Sequence, residues 1–193
     1  MQRPLRDRLI VTPILDFSEQ VKDTAIDLRL GTKFIITQKT TFPCLDPKDK
    51  DELRKDIGKY QKLFTVRFGE SLILHPNQLV LGSTLEYICI PRKLCGYVIG
   101  RSSWGRLGLI IATATFVNPQ FKGCLTLELE NIGEVPLVLY PGVAIAQLIL
   151  HTIDKDGLYK SRYMNPVGPE FSRIWEDDDM KFWTKLVKKN TLA

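Results

Sequence analysis

The chain has only two histidines in 193 residues, and His75 and His151 stand far apart. Its four cysteines, Cys44, Cys89, Cys95 and Cys124, form no C-x-x-C pair. A zinc site needs closely grouped Cys, His or carboxylate ligands, so none is expected. No apolar run approaches the length of a membrane span. Met1-Gln2-Arg3-Pro4 does not read as a signal peptide. The expected compartment is therefore the reduced cytoplasm, with the cysteines packed in the core and no membrane as partner. There is no arginine-rich block and no regular aromatic interleaving, so no nucleic acid is expected either. Internal repeats and low-complexity tracts are also missing.

What remains is an ordinary globular composition, 44% hydrophobic and 25% charged. The length suits one domain with appendages. The net charge of +5 suits a polyanionic ligand, and equally a solvated surface with a basic C-terminal tail.

Short β-like runs dominate. Residues 27–36 alternate and end in β-formers. Residues 64–68, 71–75, 78–81, 87–90 and 95–99 follow, separated by Gly69-Glu70, Pro76-Asn77, Gly82-Ser83 and Pro91-Arg92. Further runs cover 109–115, 123–130, 136–140 and 143–151. This rhythm argues for a mainly β fold, a distorted barrel or jelly roll, and against alternating α/β. Residues 41–62 read as a polar excursion with a short helix at 50–60. After Asp154 the apolar pattern breaks. Residues 159–173 read as a tail rich in Arg, Tyr, Pro and Gly. Asp177-Asp178-Asp179 and Lys188-Lys189 bracket a C-terminal helix with the charges its dipole prefers. Met180, Trp183, Leu186 and Val187 share one face of it, which is expected to dock on the body or on a partner subunit. The division is a β domain over 1–153 and a tail with helix over 154–193.

Three stretches carry candidate chemistry. Gly100-Arg101-Ser102-Ser103-Trp104-Gly105-Arg106-Leu107-Gly108 combines two guanidinium groups, two hydroxyls and three glycines directly after a strand. Arginine forks bind phosphate oxygens bidentately, and glycine lets backbone approach a ligand closely. A phosphorylated small molecule fits this mixture better than a plain polar turn. In residues 123–131, alternation puts Thr126, Glu128 and Glu130 on one face and Leu125, Leu127 and Leu129 on the other. By pattern alone this is a solvated acidic face on an edge strand. It becomes a proton-transfer site only if it faces a pocket. The third stretch is Arg162-Tyr163 with residues 168–173, which reads equally as a surface tail or as a flap closing on a ligand.

Taken in order, these stretches resemble the dCTP deaminase family of the dUTPase-like superfamily, from about residue 10 to 173. The motifs are Asp27-Leu28-Arg29-Leu30-Gly31 with Phe34, Leu81-Gly82-Ser83-Thr84-Leu85-Glu86 with Ile90-Pro91, the 100–109 stretch, and Gly123 to Asn131. Pro141-Gly142, Ile145-Ala146-Gln147-Leu148, Tyr163, Gly168-Pro169 and Ser172-Arg173 follow. The resemblance implies a dUTPase-like β fold and a hydrolase that converts dCTP to dUTP and ammonia without zinc. It makes Glu128 the proton shuttle, with Ser102 and Arg106 positioning the water. Arg101, Ser103 and the Trp104-Gly105 backbone would line the triphosphate. Thr126 and Leu127 would meet the base, Asn118 the sugar, and Arg162 and Tyr163 the nucleotide from the tail. Mg²⁺ would ride on the triphosphate. Sites between the subunits of a homotrimer are implied as well.

The sequence departs from the family at Asn118, where Asp is usual, and at Gln120 and Pro166. Asn can accept a hydrogen bond from a sugar hydroxyl but cannot act as a general base. This counts against a bifunctional enzyme that also releases pyrophosphate to give dUMP. The same departures keep open a non-catalytic nucleotide sensor on this fold, and the altered 111–117 loop leaves the preferred cytosine nucleotide open.

Overall fold

Alternating apolar residues build open β-sheets, the main regular structure of the molecule. The computed structural model describes residues 7–38, 40–112, 116–156, 162, 163 and 165–190. The chain divides into two units. One comprises Met1–Ile36 with Leu63–Glu170, the other Thr37–Lys62 with Phe171–Ala193.

The first unit holds all but a few residues of three sheets. The largest joins β1 (Ile10–Thr12), β3 (Lys33–Thr37), β4 (Gln61–Thr65), β6 (Leu79–Cys89), β8 (Leu109–Ile111) and β10 (Lys122–Asn131). Its order is β4-β3-β6-β10-β8, with β1 also paired to β6. A four-stranded sheet runs β2 (Ile26–Arg29), β12 (Ala144–Thr152), β7 (Leu94–Gly100), β9 (Phe116–Val117). β5 (Leu72–Leu74) and β11 (Leu137–Leu139) form a separate pair. Within this unit Phe34, Leu28, Leu30, Leu74, Ile88, Leu127, Leu129, Leu139, Ile145 and Leu148 are fully buried. Each such side chain contributes roughly 1.5–3 kcal/mol by leaving water. The fold is mainly β as expected, and among the described residues no sheet closes into a barrel.

Four expectations need correction. Residues 27–36 are two strands in different sheets. The chain crosses at Leu30-Gly31, where the Gly31 N–H donates to the Ser83 carbonyl at 2.7 Å and a Cβ would meet Ser83 at 2.9 Å. Residues 78–81 and 87–90 are one strand, β6, with no turn at Gly82-Ser83. Its ladder with β10 is instead irregular between Cys124 and Thr126. β10 is also not an edge strand, because β6 and β8 flank it. The run expected at 64–68 starts earlier, at Gln61, and the end of the 109–115 run lies outside the described residues.

In the second unit α2 (Lys50–Tyr60) lies where the sequence predicts it. Asp49 caps it, accepting the Glu52 N–H at 3.0 Å, which satisfies one orphan donor of the first turn. Leu53 and Ile57, one turn apart, are its buried face. Cys44 is exposed here, so core packing holds only for Cys95 and Cys124, with Cys89 half-buried. The polar excursion around Cys44 has too few apolar neighbours to bury it. α4 (Asp179–Asn190) leaves Phe182, Trp183, Leu186 and Val187 exposed, with the Lys48 ammonium 4.7 Å above the Trp183 ring.

Candidate active site

β7 runs out at Gly100, on the rim of the four-stranded sheet. The chain then makes one helical turn, α3 (Ser102–Gly105), and enters the large sheet as β8 beside β10. The Arg/Ser stretch therefore bridges two sheets. The start of β12 anchors it twice. The Arg101 N–H donates to the Ile145 carbonyl at 2.9 Å, and the Trp104 indole N–H donates to the Ala144 carbonyl at 3.1 Å. Trp104 and Arg101 are half-buried, while Ser102, Ser103, Gly105 and Arg106 are exposed.

On the neighbouring strand, the Glu128 carbonyl accepts the Ala112 N–H at 2.7 Å. Its side chain is half-exposed on the face shared with Thr126 and Glu130. Leu127 and Leu129 take the opposite face, 1% and 0% exposed. The Leu127 side chain thus serves the core. Among the described residues, the side chains of Ser102, Ser103, Arg106, Asn118 and Glu128 make no hydrogen bond or ion pair within the chain. A polar group left free in this way is available to a ligand or to another copy of the chain.

Asn118 follows β9 in a turn, with its carbonyl accepting the Phe121 N–H at 3.2 Å. Gln120 in the same turn has a φ of 65°, a left-handed conformation that favours the family's usual glycine. Of the tail, Arg162 is exposed and Tyr163 half-buried. Residues 157–161 and 164, and the Ala114-Thr115 part of the loop read as shaping base preference, lie outside the described residues. Farther on, the tail runs along β10. The Cys124 N–H donates to the Pro166 carbonyl at 2.7 Å. The Thr126 hydroxyl accepts the Glu170 N–H at 3.1 Å.

Sequence reasoning missed a buried polar network behind this rim. Asp27 is 6% exposed, and Gln20 and Glu86 are wholly buried. The Gln20 side-chain amide donates to Glu86 Oε1 at 2.7 Å and to the Asp27 carbonyl at 3.0 Å. Burial pushes the Glu86 carboxyl above its usual range, and the Arg29 backbone N–H pulls it partly back. The only signal in the sequence was an acid inside each of two apolar strands. A separate cavity of about 970 Å³ is lined by Arg92, Lys93 and Thr152. Its Arg92 is already paired with Asp7 and Asp156, and none of the candidate site residues lines it. Among the described residues no three His, Cys, Asp or Glu side chains are grouped as metal ligands.

A family model described as dCTP deaminase-like matches residues 2–153. A dCTP deaminase of Halorubrum lacusprofundi is 42% identical over 178 residues, 89% of this chain and 86% of the relative. A dUMP-forming dCTP deaminase of Methanobrevibacter smithii is 37% identical over 182 residues, 90% of this chain and 91% of the relative. Among solved structures, the 2'-deoxycytidine 5'-triphosphate deaminase of Agrobacterium tumefaciens superposes with a TM-score of 0.55 at 20% identity. That match covers 74% of this chain and 41% of the other, and at such identity it speaks for the fold alone. With the family's model matched over most of its length and relatives this similar across nearly all of it, the chain belongs to the dCTP deaminase-like family.

Proposed function

We propose that this protein is a dCTP deaminase that hydrolyses the cytosine amine, giving dUTP and ammonia for pyrimidine deoxynucleotide metabolism in the cytoplasm. The observation that carries the reading is the free set Ser102, Arg106 and Glu128 in a chain whose relatives bear this name. In the proposed reaction Glu128 takes a proton from water as its oxygen bonds to C4. It delivers that proton to N3, then takes the proton of the new C4 hydroxyl and passes it to the amine, so that the C4–O bond becomes a carbonyl, the C4–N bond breaks and ammonia leaves. Such a shuttle is worth about 10²–10⁴ in rate. Ser102 and Arg106 orient the water and offset the charge that develops at the tetrahedral centre. No zinc is assigned a part.

Arg101, Ser103 and the Trp104-Gly105 backbone take the triphosphate, Asn118 the sugar hydroxyl, and Thr126 and the Leu127 backbone the base. Arg162 and Tyr163 close from the tail. The side-chain donors of α3 and its flanking Arg101 and Arg106 are hydroxyl and guanidinium groups, which suit phosphate oxygens rather than a cation. Mg²⁺ therefore fits as cargo of the triphosphate, where it would neutralise phosphate charge. The proposed assembly is a homotrimer with sites between subunits.

A second reading, a bifunctional enzyme yielding dUMP, is favoured by the dUMP-forming relatives. Asn118 opposes it, because its carboxamide cannot activate water as a carboxylate would. Incubation with dCTP and Mg²⁺, following ammonia and separating nucleotide products, tests both. Ammonia with dUTP is expected. A dUMP product overturns the argument from Asn118, and tight dCTP binding without turnover makes the protein a nucleotide sensor. Glu128→Gln is expected to lose at least about 10²-fold in kcat while still binding dCTP. Retained activity removes Glu128 from the chemistry.

A further inference from the structure

Arg101 does not stand free at the rim. Its Nη1 lies 3.5 Å from Asp27 Oδ2, while the other carboxylate oxygen, Oδ1, accepts the Gln147 side-chain amide at 2.9 Å. Strand register makes this row possible. Gln147 is opposite Asp27 on one side and Ile99 on the other, and Arg101 is two residues beyond Ile99, on the same face. The Asp27 backbone is held as well: its carbonyl accepts the side-chain amide of Gln20, which also donates to the buried Glu86.

The charges make the pairing matter. A carboxylate on a side chain only 9% exposed needs a partner to offset its lost hydration. Arg101 is the ion-pair partner it has. The Arg101 side chain remains 39% exposed, so the guanidinium is tethered on one side and open on the other. Five donors in a planar fork allow this division. Nη1 faces the carboxylate, and the remaining side-chain donors stay available. At 3.5 Å the contact is longer than a tight charge-assisted hydrogen bond, which leaves the fork slack to meet a second anion.

We propose that Asp27, steadied by Gln147, is the positioning residue that presents the Arg101 guanidinium to the nucleotide triphosphate. The proposal rests on the reading of Arg101 as a triphosphate ligand. Holding a long side chain in its bound geometry beforehand removes an entropy cost that binding would otherwise bear.

Charge alone predicts the opposite of positioning. Asp27→Asn deletes a negative charge near the phosphates, so simple electrostatics would tighten dCTP binding. Positioning requires it to weaken. Calorimetric titration of the full-length protein with dCTP and Mg²⁺ separates the two. Asp27→Asn is expected to raise the dCTP Kd about tenfold, the scale of one charge-assisted hydrogen bond. KM should rise by a larger factor than kcat falls, and in an Arg101→Ala background Asp27→Asn should add nothing further. Gln147→Met, which keeps the charge and removes one support, should raise Kd by a smaller factor and serves if Asp27→Asn does not fold. Unchanged or tighter binding in Asp27→Asn, or an equal penalty without Arg101, overturns the proposal. Should the unmodified protein neither bind nor deaminate dCTP, the functional reading fails instead. Positioning is then judged on nitrogen relaxation of the Arg101 Nε–H, expected to be ordered in the unliganded protein and loosened by Asp27→Asn. Equal mobility in the two proteins refutes it.

Discussion

Glu86 is a buried acid with structural duties and a measurable signature. Its carboxylate accepts the Arg29 backbone N–H at 3.0 Å and the Gln20 amide at 2.7 Å. The first of these satisfies a backbone donor of β2 that would otherwise be buried unpaired. Burial is the largest influence on its proton and raises the pKa above the ordinary 4.5, against the pull of those donors. The folded protein therefore holds this proton more tightly than the unfolded chain does. The group favours the fold below about pH 4.5 and loses that contribution as pH rises through its raised value. Glu86→Gln carries no such slope. Its amide oxygen can still accept one bond, but its NH₂ meets donors, so the variant should be less stable by about 1–3 kcal/mol at acid pH. The deficit is expected to shrink from pH 4.5 toward neutrality. Urea denaturation of both proteins at stepped pH measures it, and a deficit that widens with pH contradicts this account.

At the scale of elements, β10 is where strand, tail and candidate chemistry meet. Gly123 opens it with a φ of 143°, and a Cβ there would overlap the Pro166 ring. The same place joins the tail to the strand through Cys124 and Pro166. Gly123→Ala is thus strained twice, in backbone and in space, and should cost about 1–3 kcal/mol. Limited proteolysis is expected to cut the released 162–170 segment sooner than in the unmodified protein. Equal resistance and an unchanged urea midpoint would show the contact to be dispensable. This junction also marks the limit of what the sequence reveals. The period-two strands and the capped helix α2 were legible because their signals are local. The Arg/Ser stretch was legible for the same reason. The Gly82-Ser83 break was misread because a strand glycine that makes room for a neighbour looks, in one dimension, like a turn glycine. There, a Cβ on Gly82 would crowd Leu129 and Leu30. The contacts among Gln20, Asp27 and Glu86 were not legible, since they join side chains of three different elements, α1 (Phe17–Gln20), β2 and β6.

At the scale of the whole molecule, the question is where one active site ends and the next begins. A single chain leaves the side chains of Ser102, Arg106 and Glu128 without intrachain polar partners among the described residues. Ser102 and Arg106 lie on the turn between two sheets, and Glu128 on a strand interior to one of them. If the proposed homotrimer draws these two groups from neighbouring subunits, two dead variants can repair each other. Ser102→Ala keeps a working Glu128, and Glu128→Gln keeps a working Ser102. Closed cyclic symmetry gives each interface one donor of each group. In trimers reassembled from an equal mixture, about one interface in four then pairs an intact Ser102 with an intact Glu128, by the statistics of a closed ring. Co-expression or denaturation and refolding of the mixture should recover up to about a quarter of the unmodified activity, because only those interfaces are complete. Each variant refolded alone should remain inactive. Light scattering on the same samples should report three times the 22.1 kDa of one chain. If the mixture stays as inactive as its components while the trimer forms, the two groups belong to the same subunit. The free side chains would then await the nucleotide rather than a second copy.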